Sequence, residues 1–359
     1  MTMDAAASAP IDSLTLVQPD DWHLHVRDAE ALAAVVPHSA AQFARAVIMP
    51  NLRPGITTVA QAQAYATRIR AALPSGHPFE PLMTLYLTDD LDPREIALAK
   101  SSRHEPGAAR VVAVKLYPAG ATTNSAAGVT DLRRTYPVLE AMQKAGMPLL
   151  VHGEVTDPQI DVFDREAVFI ERHLIALRRD FPALKVVLEH ITTAEAAHYV
   201  DTAGPGIAAT ITPHHLLFNR NAIFAGGLRP HYYCLPVLKR EHHRLALVQA
   251  ATGGNPRFFL GTDSAPHAAQ LKEHASACAG CYTAHAALEM YAEVFDRAAA
   301  LHRLEAFASF HGPDFYGLPR NRNTVTLRRQ PWQSEADFAF GAARLVPLRA
   351  GEILPWKLQ

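Results

Sequence analysis

Residues 20 to 28 read DDWHLHVRD, with two histidines one residue apart and an arginine two places further on. In an extended strand residues i, i+2 and i+4 share a face, so His23, His25 and Arg27 are expected on one side and Trp22, Leu24 and Val26 on the other. Imidazole nitrogens at that spacing suit a metal, but an isolated H-x-H is also what a solvent-facing strand edge carries. The distinction rests on whether other strands end in ligands of the same kind. Reading the last polar residue of each β-rich run gives Lys115 in VVAVKLYP, His152 in PLLVHGE, His190 in KVVLEHIT and Asp263 in RFFLGTDSAPH. Singly, each has an ordinary explanation: a satisfied core histidine, a snorkelling lysine, a helix-capping aspartate. Six such residues on strand ends do not coincide by chance. Imidazole and carboxylate ligands suit Zn²⁺, and accept Mn²⁺, Co²⁺ or Ni²⁺. A lysine among them is explained by CO2: a buried amine with a depressed pKa is a nucleophile, and its carbamate offers two oxygens to two metals.

The elements that must hold these residues recur along the chain. Eight short apolar runs, WHLHVRD, RAVIMPNL, PLMTLYLT, VVAVKLYP, PLLVHGE, KVVLEHIT, GIAATITPHH and RFFLGTDSAPH, are each followed by turn residues and a longer Ala/Leu-rich stretch. TVAQAQAYATRIRAAL and DREAVFIERHLIALRRDF place apolar residues at the three- and four-residue spacing of amphipathic helices. Eight strand-then-helix units predict a (β/α)8 TIM barrel, whose active site is built at the C-terminal ends of its strands. A doubly wound open sheet would alternate similarly without explaining chemistry at nearly every strand end. The chain reads as one domain over residues 1–359, with the helical region YTAHAALEMYAEVFDRAAALHRLEAFASF after the eighth strand and a loosely constrained C-terminal appendage from about residue 320.

With 49% hydrophobic residues in 359, the chain can bury roughly 75% of its unfolded surface. Lysines and arginines number 34 against 35 acids, so no net field favours nucleic acid or an anionic membrane, and a charged small-molecule substrate must be recognised locally. The start, MTMDAAASAP, lacks basic and apolar leader regions, and no apolar run approaches the roughly 18 residues of a membrane span. A cytoplasmic location is expected. Three cysteines, Cys234, Cys278 and Cys281, are too few and odd in number for a disulfide framework. The CAGC stretch fails as a zinc knuckle, because only His274 and His285 lie nearby and neither is well spaced, and as a redox dithiol, which normally opens a helix after a strand. It reads as a substrate loop with incidental thiols.

HLHVRD, MPN, KLYPAGATTNS, LLVHGEV, LEHITT, TPHHL, YCLPVLKR and LGTDSAPH together resemble the dihydroorotases, the pyrimidine-pathway branch of the amidohydrolase superfamily, in their short bacterial single-domain form. The resemblance runs from about residue 15 to the GPDFYGLP segment. It implies two divalent metal ions, most simply Zn²⁺: one held by His23, His25 and Asp263, the other by His152 and His190, with a CO2-derived carbamate on Lys115 (N6-carboxylysine) between them. Arg27, Asn51 and His267 would hold a substrate carboxylate, and backbone at Leu235 and Ala279 would read the ring amides. Thr122 and Thr123, in the small-residue loop AGATTNSAAG, would close over the substrate, with Gly120 standing where a larger polar residue is expected. The implied reaction is reversible cyclisation of N-carbamoyl-L-aspartate to L-dihydroorotate, the third step of pyrimidine biosynthesis, with Asp263 as catalytic acid and base; a homodimer is implied too. Two alternatives are weighed. A hydantoinase would add a β-sandwich from both chain ends, for which the 22 residues before His23 are too few. A non-catalytic scaffold barrel would lack ligands, and none is missing.

Overall fold

Val, Ile and Leu dominate the eight apolar runs, and each run forms a parallel strand buried on both faces, as helix-covered barrel strands must be. The computed structural model describes residues 11–102 and 107–359; the MTMDAAASAP start lies outside them. Strand β1 is Ser13–Val17, and the eight-stranded sheet follows in chain order: β2 (Asp20–Leu24), β3 (Arg45–Ile48), β4 (Glu80–Leu87), β5 (Val111–Leu116), β6 (Leu149–Val151), β7 (Val186–Leu188), β8 (Ile207–Ile211) and β9 (Phe258–Leu260). Every neighbouring pair is parallel. The seam between β2 and β9 is drawn together by Asp263 N–H donating to His23 O at 2.9 Å and His25 N–H donating to Ser264 O at 3.1 Å. The expected (β/α)8 TIM barrel is the observed fold.

Helices between the strands are set by local sequence. Helix Val59–Ala71 starts at a capping box, in which Thr58 Oγ1 accepts from Gln61 N–H and Gln61 Oε1 from Thr58 N–H, and it buries Ala62, Tyr65, Ala66 and Ile69 at helical spacing. Helix Tyr136–Ala145 ends at Gly146, whose φ of 67° is the left-handed cap that glycine adopts without cost. The stretch 165–180 forms one helical run interrupted by a wide π turn over Ile170–Leu174. The region after β9 is divided: Ala287–Arg297 is helical, Ala299 takes φ 53°, and a second helical run begins beyond.

The barrel interior is filled by Trp22, Val47, Leu82, Val112, Leu150, Val187, Ala208 and Phe259, with Tyr316 stacked on Trp22 at 4.3 Å. Strict alternation would send Trp22 away from His23. Instead the register of β2 against β3 shifts between Asp21 and Leu24, and both side chains turn inward. Residues 320–359 run as strands β10 (Thr324–Arg328), β11 (Trp332–Gln333), β12 (Phe338–Phe340), β13 (Ala343–Leu345), β14 (Ile353–Leu354) and β15 (Lys357–Leu358). β10 pairs antiparallel with both β1 and β15, so a small sheet joins the two ends of the described chain, and Trp356 is fully buried beneath it. Among the described residues no helix is long and apolar enough to cross a membrane.

Candidate active site

Four of the six ligand candidates stand just past their strands: His25 and His152 directly after β2 and β6, His190 two residues after β7, and Asp263 three after β9; His23 and Lys115 lie within β2 and β5. The backbone turns sharply to aim them. His190 and Asp263 have φ of 43° and 46°, and Arg27 has 58°, left-handed values that cost a residue with a Cβ about 1–3 kcal/mol each. Local bonds hold these turns: His190 N–H donates to Thr210 Oγ1 at 2.8 Å, and Tyr65 OH donates to Arg27 O. β2 stops at Leu24, so the expected strand does not extend to Arg27.

His23 Nε2, His25 Nε2 and Asp263 Oδ1 form a triangle with all three sides at 3.3 Å. Ligand atoms about 2.0–2.1 Å from a tetrahedral metal stand roughly 3.3–3.4 Å apart, so the triangle has the dimensions of a metal's donor set. A ring nitrogen of His190 lies within 4.8 Å of ligand atoms of His23 and Asp263, and the His152 ring centre is 4.8 Å from that of His190. All are buried, which removes the reading of a solvent-facing edge. His190 Nδ1, Glu154 Oε1, Glu189 Oε1 and the Tyr117 hydroxyl are buried without a partner, and such atoms are costly unless something else satisfies them.

The electrostatics ask for positive charge. Burial would lower the His23 imidazole, but the carboxylates of Glu189 and Asp263 outweigh it and push it up to about 9. Burial would raise Asp263, yet His23 and His25 hold its carboxyl well below the usual range. His25 is pushed down to about 4 by burial, despite its bond to Asp263. Lys115 is fully buried; burial pulls its ammonium down while Glu189, in direct contact, pulls the other way.

Above this floor, Arg27 Nε donates to Pro266 O at 3.0 Å and Nη2 lies 2.8 Å from His267 Nε2, which is 3.0 Å from Ala279 O. Burial beside that guanidinium holds His267 neutral, down to about 2. Asn51 Nδ2 donates to Thr123 O at 3.0 Å, and Thr123 Oγ1 donates to Ala279 O at 3.3 Å, so the loop after β5 reaches across the opening. Arg27, Asn51, Tyr117, Thr122, Thr123, Leu235 and Ala279 join His25, His152, His190 and Asp263 around a nearly closed cavity of only about 20 Å³, far below the size of a small-molecule site. A larger open groove on the outer surface, bounded by Asp131, Arg172 and Arg179, gathers none of the strand-end ligands. Gly120 adopts φ 80° with nothing near its Cβ position, so backbone conformation rather than looseness accounts for a glycine there.

A profile of the amidohydrolase family matches residues 15–327. A dihydroorotase of Acidovorax sp. (strain JS42) is 71% identical over 351 residues, covering 98% of this chain and 99% of that one. The chain belongs to the amidohydrolase family, among its dihydroorotases. The Campylobacter jejuni dihydroorotase structure superposes with a TM-score of 0.88 at 35% identity, covering 98% of this chain and 99% of that one. A Saccharomyces cerevisiae dihydroorotase in complex with 5-fluoroorotic acid also gives 0.88, at 33% identity over 97% and 99%. An L-hydantoinase from Arthrobacter aurescens shares the fold alone, at 15% identity and a TM-score of 0.77, covering 99% of this chain and 86% of that one.

The dihydroorotase fold thus brings the residues put forward as metal ligands and substrate contacts to one end of the barrel. It adds others. Glu189 touches Lys115 and sits 3.1 Å from His23 Nδ1, and Glu154 Oε2 is 2.7 Å from His152 Nε2. The second pair was open to discovery, since His152 and Glu154 are two apart and share a face when extended. Glu189 was not, because adjacency to His190 places the two on opposite faces unless the chain turns.

Proposed function

We propose that this dihydroorotase interconverts N-carbamoyl-L-aspartate and L-dihydroorotate with two divalent metals, of which Zn²⁺ suits the ligands best, held by His23, His25, His152, His190, Asp263 and a carbamate on Lys115. The 3.3 Å triangle of His23, His25 and Asp263 carries the reading. Family membership, at 71% identity to a dihydroorotase, supports the reaction. When bound, such cations supply Lewis acidity to the amide carbonyl and to the water that adds to it. The carbamate is supported by an amine buried where desolvation disfavours the ammonium.

The remaining work belongs to side chains. Arg27 presents a planar fork suited to the substrate carboxylate, with neutral His267 behind it and Asn51 across the cavity. Leu235 and Ala279 offer backbone groups to the ring amides, and Thr122 and Thr123 exclude water once substrate is seated. In hydrolysis Asp263 takes the proton of the attacking water and passes it to the departing ring nitrogen; in closure the protonated acid starts the same path in reverse. The whole of 1–359 is read as one catalytic domain of a cytoplasmic homodimer, on the strength of the family resemblance.

Metal analysis of the purified protein is the first test, with at least about two metals per chain expected; near zero would remove the reading. Lys115→Ala should lose metal and nearly all activity, and a short carboxylic acid added with metal should restore part of both. A variant with two metals and normal turnover would remove the carbamate.

A further inference from the structure

The YCLPVLKR, TPHHL and CAGC segments meet behind the substrate cavity. His214, Cys234 and Cys281 are each about 1% exposed, and one ring nitrogen and the two sulfurs lie within 4.8 Å of one another. Two adjacent histidines there are treated differently. His215 is committed, with Nδ1 2.8 Å from Thr212 Oγ1 and Nε2 3.0 Å from Pro236 O. His214 has no hydrogen-bond partner on either ring nitrogen, although both are buried. An imidazole with two unpaired nitrogens beside two thiols is costly as plain core.

We propose that His214, Cys234 and Cys281 form a further metal site, separate from the strand-end ligands, for a thiophilic cation such as Zn²⁺. Two thiolates and a neutral imidazole cancel a divalent charge, so the assembly is neutral and suits a dry location. Zinc–sulfur and zinc–nitrogen lengths set tetrahedral ligands about 3.4–3.8 Å apart; a set already within 4.8 Å needs to contract by about 1 Å. His214 is held neutral, down to about 4 by burial, which leaves a lone pair free. The Cys234 thiol, which donates to Pro236 O at 3.3 Å, is pushed well up by its hydrogen bond with the Cys281 thiol and by burial, so binding must release protons from the thiols. Lys272 organises both cysteine arms in advance: its ammonium donates to Tyr233 O at 2.7 Å, Cys278 O at 2.9 Å and Gly280 O at 2.7 Å, carbonyls flanking Cys234 and Cys281. Cys278, His274 and His285 take no part, which is why the local CAGC spacing did not reveal the site. Cys234 adjoins Leu235 and Cys281 follows Ala279 by two residues, so the cation would tie together the two segments proposed to read the substrate ring. That last consequence alone rests on the proposed active site.

The test reads sulfur, which the strand-end ligand set does not contain. Protein stripped of its metals, kept reduced, is reloaded by titration with Co²⁺ and followed for a sulfur-to-cobalt charge-transfer band in the near ultraviolet. The band should account for one cobalt per chain, persist in Cys278→Ser, vanish in Cys234→Ser and Cys281→Ser, and need at least about tenfold more cobalt in His214→Ala. Proton release should accompany binding. Absence of the band in the wild-type protein overturns the proposal without recourse to any variant. So does a band that survives loss of Cys234 and Cys281, or that requires Cys278. Turnover measured on the same samples separates this outcome from failure of the active-site reading, which predicts two metals at the strand ends and activity whether or not the band appears.

Discussion

Two levels of the barrel interior are equally buried and opposite in character. The lower level is apolar, made by Trp22, Val47, Ala113, Leu150, Val187 and Phe259. One to four residues later on the same strands and their loops come His23, Asn51, Lys115, His152, His190 and Asp263. Below, side chains fill space, and buried area stabilises the fold. Above, polar groups crowd together, several with a buried atom unpaired, and three left-handed backbone turns are held in place to aim them. One level is optimised for the folded state alone. The other is finished only when something with charge occupies it.

Substitutions should separate the levels. On the proposed mechanism Asp263→Asn keeps an oxygen at the proposed metal site and cannot carry the proton, so turnover in both directions should fall at least about a hundredfold, within the 10² to 10⁴ range of general acid–base catalysis, while the urea midpoint hardly moves. Turnover within tenfold of wild type, on protein checked for deamidation and metal, would mean another group carries the proton. Phe259→Ala, on the same strand one level down, should do the reverse: about 3–5 kcal/mol lost in urea unfolding, with turnover at 25 °C largely kept. An inactive but fully stable variant would erase the distinction.

Arg27→Met comes next, with about 2–4 kcal/mol lost in transition-state stabilisation, read from kcat/KM, and metal content unchanged. Normal handling of dihydroorotate by this variant would exclude Arg27 as the carboxylate anchor. The smallest effect lies outside both levels. Burial raises the Glu289 carboxyl to about 7, above its ordinary 4.5; Oε2 has no partner, and Oε1 accepts from Leu358 N–H at 3.2 Å. The folded state therefore holds this proton more tightly than the unfolded chain. The stabilisation is full below pH 4.5 and fades as pH rises through about 7. Glu289→Gln should flatten the thermal stability profile in that window, and an unchanged slope would show that the carboxyl is not protonated there.

The eight strands were legible because a parallel barrel strand is buried on both sides and reads as an unbroken apolar run. The six strand-end residues were legible for a related reason: a histidine, lysine or aspartate ending such a run has nowhere to go but the rim. The turns that aim them were not, because nothing in the local sequence marks His190, Asp263 or Arg27 for positive φ; tertiary bonds impose it. The shift that lets both Trp22 and His23 inward, and the cluster of His214, Cys234 and Cys281, escape for a similar reason. Spacing rules see neighbours in sequence, and these arrangements are made between segments far apart in it.

The seam where β2 meets β9 has a bearing on how the protein is made. Thr262 donates to Asp21 across a separation of 241 residues, and His23, His25 and Asp263 face one another across the same join. During synthesis the first of these residues leaves the ribosome long before the last, so β2 has no partner on one side for most of translation. A nascent chain holds no complete set of these strand-end residues until the GTDSAPH segment emerges. On the proposed mechanism, a product truncated short of Asp263 lacks the acid–base group and should not turn over substrate.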